Sequence, residues 1–306
     1  MLKSLRAEVF LVFGSSAFAF NGIIAKLLLT SGLSASRLTQ VRCTGAFLVL
    51  FLYVLARNRA EMKTSRAELP WLIAYGVIGF SIVQAFYFLA ISRMQVGISL
   101  IIEFTAPIWI VLYIRFIRKK FVPPLMWISL SLAFSGLLLV ARVWDGMTLD
   151  GLGVVAAFID AFALAAYFLL GEKLVAHRST DTLTVWGLGI ATAFWLIVTP
   201  VWDFPYQVFT QDINLLGIFS PQTLPGWVLI LWVITMGTLV PYICVLHGLK
   251  QLSASTSSVI GMLEPVVAGG FAWWWLREVL TPIQVFGSVV VIVGIILADR
   301  ARSAAH

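Results

Sequence analysis

The chain has 306 residues, 60% of them hydrophobic and 11% charged, a balance that exceeds what the core of a water-soluble domain of this length takes up. Its net charge of +7 sits in short connections between apolar runs, so the basicity reports topology and no nucleic-acid partner is expected. Period-2 alternation is absent, which excludes an outer-membrane barrel and leaves an all-α integral membrane protein with the lipid bilayer as its solvent.

A helix needs about 20 apolar residues to cross the hydrocarbon layer. The sequence offers spans at 9–29, 38–56, 70–90, 96–114, 123–141, 150–170, 183–202, 226–246, 254–276 and 282–298. The N-terminal MLKSLRAEVFLVFGSSAFA has the outline of a cleavable signal, with a basic start, an apolar run and A-F-A, and is read as the first span because the repeat described below needs it. Within that span, Asn21 and Gly22 are expected to loosen the helix and offer backbone groups to a ligand, with a simple helix contact as the bland alternative. Lys26, three residues before the outer end, is expected to snorkel to the interface or to pair in low dielectric with Glu103 of the fourth span.

Cys43 and Cys244 fall inside spans and are expected to be buried, reduced thiols. Gln84 and Tyr87 are one turn apart on the third span, so they share a face and can supply an amide and a phenol to a cavity; interfacial anchoring suits Tyr87 equally. In the fourth span Glu103 lies toward the outer surface, and Pro107 removes a backbone donor and is expected to kink the helix. Pro265 does the same in the ninth. Asp160 and Glu264 each lie ten residues into their spans, a depth of about 15 Å and close to the midplane. A protonatable carboxylate at that depth can exchange a proton or accept a substrate amine, against the alternatives of an interhelical hydrogen bond for Asp160 and a structural contact for Glu264. Ala157, Ala161 and Ala165 form a small-residue ridge for helix contact. His247 and Lys250 close the eighth span in a solvated or headgroup setting, and Trp273, Trp274 and Trp275 end the ninth as interface anchors.

Lys3, Arg6, Arg57, Arg59, Lys63, Arg66, Arg115, Arg118, Lys119, Lys120, Lys173, Arg178, Lys250, Arg300 and Arg302 fall on one side of this arrangement. Arg37, Arg93, Arg142 and Arg277 fall on the other, with Arg42 just inside a span. The positive-inside rule then puts both termini in the cytoplasm and the chain in the inner membrane.

Shifted by 158 residues, Gly79 falls on Gly237, Ser99 on Ser257, Pro107 on Pro265, Pro124 on Pro282 and Gly136 on Gly294. Proline and glycine matches carry weight because they fix backbone shape. The first two spans of each half align only weakly. Two five-span units, 1–145 and 146–306, must therefore enter the membrane in opposite senses, an inverted repeat of the kind that builds secondary carriers around a midplane site. Metal motifs, His clusters and Ser/His/Asp sets are missing from the spans, so a membrane-embedded enzyme is the lesser class. No cofactor or metal is expected, and without a G-x-x-x-x-G-K-[ST] loop ATP is not the direct energy source.

The runs FYFLAISRMQVGISLIIEFTAP from Phe86 and LHGLKQLSASTSSVIGMLEPVVAGGFAWWWLREVLTP from Leu246 resemble the EamA-type branch of the drug/metabolite transporter superfamily. Glu264-Pro265 and Glu278-Val279-Leu280-Thr281-Pro282-Ile283-Gln284 match the second copy of its pattern, and the likeness covers essentially the whole chain. Two junctions depart from it: Arg118-Lys119-Lys120 replaces the first Gly-Glu, and Arg277 replaces the second glycine. The connection 203–225 is also longer than is usual there. The resemblance implies ten helices, a cavity lined by spans one, three, four, six, eight and nine, and export or exchange of small metabolites. The leading expectation is secondary active export of small amphipathic substrates, neutral or aromatic amino acids first, with protons as possible coupling partners at Asp160 and Glu264. A proton-independent facilitator or exchanger of nucleoside, purine or drug-like cargo is the alternative, and oligomeric state is left open.

Overall fold

The computed structural model describes residues 2–57, 59–142, 144 and 149–303, with the backbone alone for 2–5, 96, 302 and 303. The repeat boundary expected at 145/146 and the side chains of Lys3 and Arg302 lie outside what is described.

The chain crosses as α1 Leu2–Thr30, α2 Ala35–Arg57, α3 Leu69–Arg93, α4 Gly97–Ile117, α5 Pro124–Val140, α6 Gly151–Val175, α7 Thr180–Val198, α8 Gly226–Leu249, α9 Ala254–Leu276 and α10 Pro282–Ser303. Nine of these are long and apolar enough to span a membrane, and α5 is a shorter apolar helix. At a rise of about 1.5 Å per residue, its length still approaches the hydrocarbon thickness. Ten crossings return the chain to the face on which it began, called here the terminal face.

The irregularities of the two halves coincide. α3 carries a wide π-helical turn at Val77–Ile82 and α8 carries one at Thr235–Leu239, the same stretch under the 158-residue shift. α4 breaks at Phe104 and Thr105, between Val96–Glu103 and Ala106–Leu112, and α9 breaks at Met262, the counterpart of Phe104. Pro107 and Pro265 explain the breaks, because neither can donate to the carbonyl four residues earlier; each sits in the first turn of the second segment, where a missing N–H costs little. The prolines therefore separate two helical segments rather than bend one. Lys119 and Arg277, also counterparts, both adopt the left-handed conformation, with φ of 52° and 58°. That conformation is the physical reason for a glycine at this junction.

α5 and α10 pack antiparallel along a glycine seam. A Cβ on Gly136 would lie 2.7 Å from the carbonyl oxygen of Gly287, and one on Gly294 would lie 2.9 Å from that of Ser129. Gly287 is the counterpart of Ser129, so the two contacts are one contact made twice across a pseudo-two-fold axis. Ser129 Oγ donates to the Gly294 carbonyl at 2.8 Å. Around this seam α1 packs on α8 and α9, and α6 packs on α3 and α4.

The connection 203–225 is ordered. Asp212–Asn214 pairs antiparallel with Thr223–Pro225, strands too short to leave a sequence signature. Trp275 Nε1 donates to the Leu215 carbonyl at 2.8 Å and its ring packs edge-on against Phe219, so this tryptophan holds the connection down. Trp273 and Trp274 are exposed, as interface residues are.

Candidate functional site

The two halves meet at the repeat axis through their own counterparts. Gln84 on α3 donates from Nε2 to the hydroxyl of Tyr242 on α8 at 3.2 Å, and Tyr242 is Gln84 shifted by 158 residues. Glycine permits the approach of the flanking helices: Gly79 receives the ring of Tyr167 from α6, and Gly237 receives the amide of Asn21 from α1. Asn21 and Tyr167 are thus equivalent, which sets a 146-residue offset between α1 and α6. Phe80 meets Tyr242 at a tilt with centroids 4.5 Å apart, and Tyr75 stacks on Tyr167 at 5.5 Å. Phe18 meets Tyr242 edge-on at 5.1 Å. These rings form a buried aromatic floor across the half of the bundle nearer the terminal face.

Beyond the floor, toward the other face, the acidic side chains gather. Tyr87 is within electrostatic reach of Glu103, Asp160, Glu264 and Arg42, and Glu103 is within reach of Asp160 and Glu264. Tyr87, Glu103 and Glu264 are surrounded by protein yet keep part of their surface, the mark of side chains that line a crevice. Asp160 is 1% exposed, and its Oδ1 has no hydrogen-bond partner among the described residues. A buried carboxylate oxygen left unpaired is costly, and such groups mark sites where a proton or a ligand completes the set. Gly22 lies one turn beyond Phe18 on the face of α1 that meets Tyr242, and there it faces open space, with nothing within 4 Å of an added Cβ. Ser99 and Ser257, one in each half, are likewise buried, with hydroxyls that have no hydrogen-bond partner among the described residues.

Arg42 is a residue of this region whose place the sequence reading did not find. It is 9% exposed and donates Nε to Thr238 Oγ1 at 3.0 Å and Nη2 to the Gly237 carbonyl at 3.1 Å. The signal lay in α8: Pro241, just beyond the wide turn, has no N–H, so the backbone there is short of a donor that another helix can supply.

Two expectations are corrected. Lys26 does not meet Glu103; its Nζ pairs with Glu278 Oε1 at 3.0 Å, both side chains about half exposed. The reason is direction: Lys26 and Glu278 sit at the ends of adjacent helices, whereas Glu103 points inward with the other acids. Nor do Asn21 and Gly22 loosen α1, which is unbroken through them. Asn21 is instead 6% exposed, with Oδ1 packed at Gly237 and lacking a hydrogen-bond partner among the described residues. Cys43 and Cys244 are buried free thiols, and Ala157, Ala161 and Ala165 are buried at helix contacts.

The terminal face is closed. α6 packs against α8 and the first segment of α9, and that segment also packs against the second segment of α4. The equivalent contacts on the other face, of α1 with α3 and with the first segment of α4, are not made to a comparable extent. Arg178 also ties connections together here, donating Nε to Glu68 Oε1 at 2.8 Å and Nη2 to Oε2 at 2.7 Å. That hydrogen bonding holds the Glu68 carboxyl below the usual carboxylate range. The crevice is therefore open on one side only.

The EamA-like transporter family model matches residues 5–142 and 151–298. An uncharacterized transporter, YdfC, of Bacillus subtilis is 23% identical over 290 residues, covering 93% of this chain and 87% of that protein. The pseudopaline exporter CntI of Pseudomonas aeruginosa is 23% identical over 253 residues, covering 83% of this chain and 82% of the exporter. One solved crystal structure superposes with a TM-score of 0.76 at 14% identity, over 98% of this chain and 99% of its own, which shows the same fold. With two repeats, a glycine seam between them and both repeats matched by the family model, the chain belongs to the EamA-like transporter family.

Proposed function

We propose that the chain is a secondary active exporter of small amphipathic metabolites that carry an amine, neutral or aromatic amino acids foremost, working by alternating access in the cytoplasmic membrane with both termini inside. The observation that carries this is the convergence of Glu103, Asp160 and Glu264 around Tyr87 in a crevice above an aromatic floor. A carboxylate in low dielectric attracts an ammonium strongly, and the partly exposed ring of Phe18, backed by the buried Tyr242, offers apolar surface to the rest of the molecule. Asp160 and Glu264 also suit proton exchange: a carboxyl that gives up its proton to bind an amine, and takes it back to release one, links substrate export to proton uptake. The exporter among the relatives supports the outward direction.

The test is transport by the purified protein in liposomes, measured both as uptake driven by a pH gradient and as counterflow without one. Asp160→Asn or Glu264→Gln is expected to abolish gradient-driven transport and to keep counterflow at reduced affinity, because the two remaining carboxylates still hold the amine while coupling needs titration. Full gradient-driven transport by both variants would remove these carboxylates from proton coupling. Counterflow in the parent with no response to pH would make the protein an exchanger.

A further inference from the structure

We propose that Glu172 is the latch that holds the terminal face shut, and that a lysine at the duplicated position, Lys26, is what leaves the other face open. This rests on the alternating-access reading above. Glu172, near the terminal-face end of α6, accepts the backbone N–H of Ala254 at 2.8 Å through Oε1 and Arg118 Nη1 at 2.7 Å through Oε2. Ala254 opens α9, so its N–H is one of the first-turn donors that a helix leaves without an internal acceptor. Ser253 caps the same turn by accepting from Thr256, and the Glu172 carboxylate adds a negative charge at the positive end of the helix. A single side chain thereby joins α6 and the end of α4, which pack together, to the start of α9, which packs with α1.

Under the repeat offsets, Glu172 corresponds to Lys26, Ser253 to Gln95 and the start of α9 to the start of the Val96–Glu103 segment of α4. Every element of the clamp is lost at the second site. Gln95 makes no side-chain cap. An ammonium is a donor only, so it offers nothing to backbone N–H groups, and its charge opposes the positive end of a helix. Lys26 turns instead to Glu278. The packing agrees: α6 lies against the start of α9, whereas α1 does not lie to a comparable extent against the start of α4. Because the two halves are built on one backbone plan, this charge reversal gives the shut and open faces different closing energies with no other difference required.

The experiment reads the reactivity of two single cysteines toward a polar maleimide, in a Cys43→Ser, Cys244→Ser background in nanodiscs, where both faces are reachable. Gly22→Cys reports the open crevice. Val245→Cys, at the buried counterpart of Tyr87, reports the terminal-face side. In the parent, the Gly22 position is expected to react quickly and the Val245 position slowly. Glu172→Ala is expected to raise the Val245-position rate about fivefold or more and to lower the Gly22-position rate, with Glu172→Gln between, since its amide oxygen still accepts the N–H. A second variant is independent of whether Glu172→Ala folds: Lys26→Glu with Glu278→Lys keeps the ion pair but offers a carboxylate to the start of α4. It is expected to slow the Gly22 position about fivefold or more and to speed the Val245 position. Unchanged rates in both variants, or a parallel rise at both reporters, would overturn the latch. Counterflow by the parent separates the two levels: a transporting parent with unresponsive latch variants rejects the latch alone, and a parent that does not exchange amino acids rejects the underlying transport reading.

Discussion

The two halves of this chain repeat each other's backbone and contradict each other's charge. Wide turns at 77–82 and 235–239, breaks at Phe104 and Met262, and left-handed residues at Lys119 and Arg277 recur at one spacing, although few of the residue types are shared. At the ends of α1 and α6 the duplicated positions carry Lys26 and Glu172, and at the two junctions Glu278 and Lys120. Backbone shape is what lets the halves pack across a pseudo-two-fold axis, so it is held in common; the charges decide which face is shut, so they differ.

The seam between α5 and α10 gives the largest expected effect, because there both halves must approach at backbone distance. Gly136→Ala and Gly294→Ala each force a Cβ to within 3 Å of main-chain atoms on the other helix. Each is expected to cost about 1–3 kcal/mol, read as a lowered melting temperature in detergent, and the two should agree with each other. Equal tolerance of alanine at both would show that the seam is looser than described.

Next is the asymmetric cap on α8. Arg42→Met leaves the Gly237 carbonyl without a donor and is expected to cost about 1–3 kcal/mol by the same measurement. The two halves differ here: Val83, the counterpart of Pro241, donates its N–H to the Ile78 carbonyl in α3, and Pro241 in α8 has none to give.

These two cases show what was legible in the sequence. Prolines and glycines state their constraint by type alone, so matched interruptions at Pro107 and Pro265 and the crossing of ten helices could be read from the sequence, whereas the Gly136 and Gly294 match marked only the repeat and not the seam. Depth was readable too, which is why Asp160 and Glu264 stood out. Direction around the helix was not: Lys26 and Glu103 have comparable depth, yet one points to Glu278 and the other into the crevice. The wide turn in α3 contains neither proline nor a special motif and left no trace. Arg42 left one that went unread: Pro241 withholds a backbone N–H just beyond the wide turn to which Arg42 donates.

Smaller effects are expected at the junctions. Lys119→Gly and Arg277→Gly relieve a left-handed backbone and should each stabilise the protein by about 0.5–1 kcal/mol, alike in the two halves. Unequal gains would mean that a side-chain contact, not backbone strain, dominates at one of them. The terminal-face pair of Arg178 and Glu68 should add a pH dependence. Because the Glu68 pKa is lowered in the folded chain, its contribution is present above the unfolded value of about 4.3 and fades as pH falls through the lower folded value. Arg178→Met should flatten the parent's acid-side loss of stability.

The account turns on a crevice that opens only on the face away from the chain ends. Gly22→Cys, in the background free of Cys43 and Cys244, tests this in oriented membrane vesicles exposed to an impermeant thiol reagent from one side at a time. The account predicts modification from the outside in right-side-out vesicles and protection in inside-out ones. Modification from the cytoplasmic side, or equally from both, would contradict it.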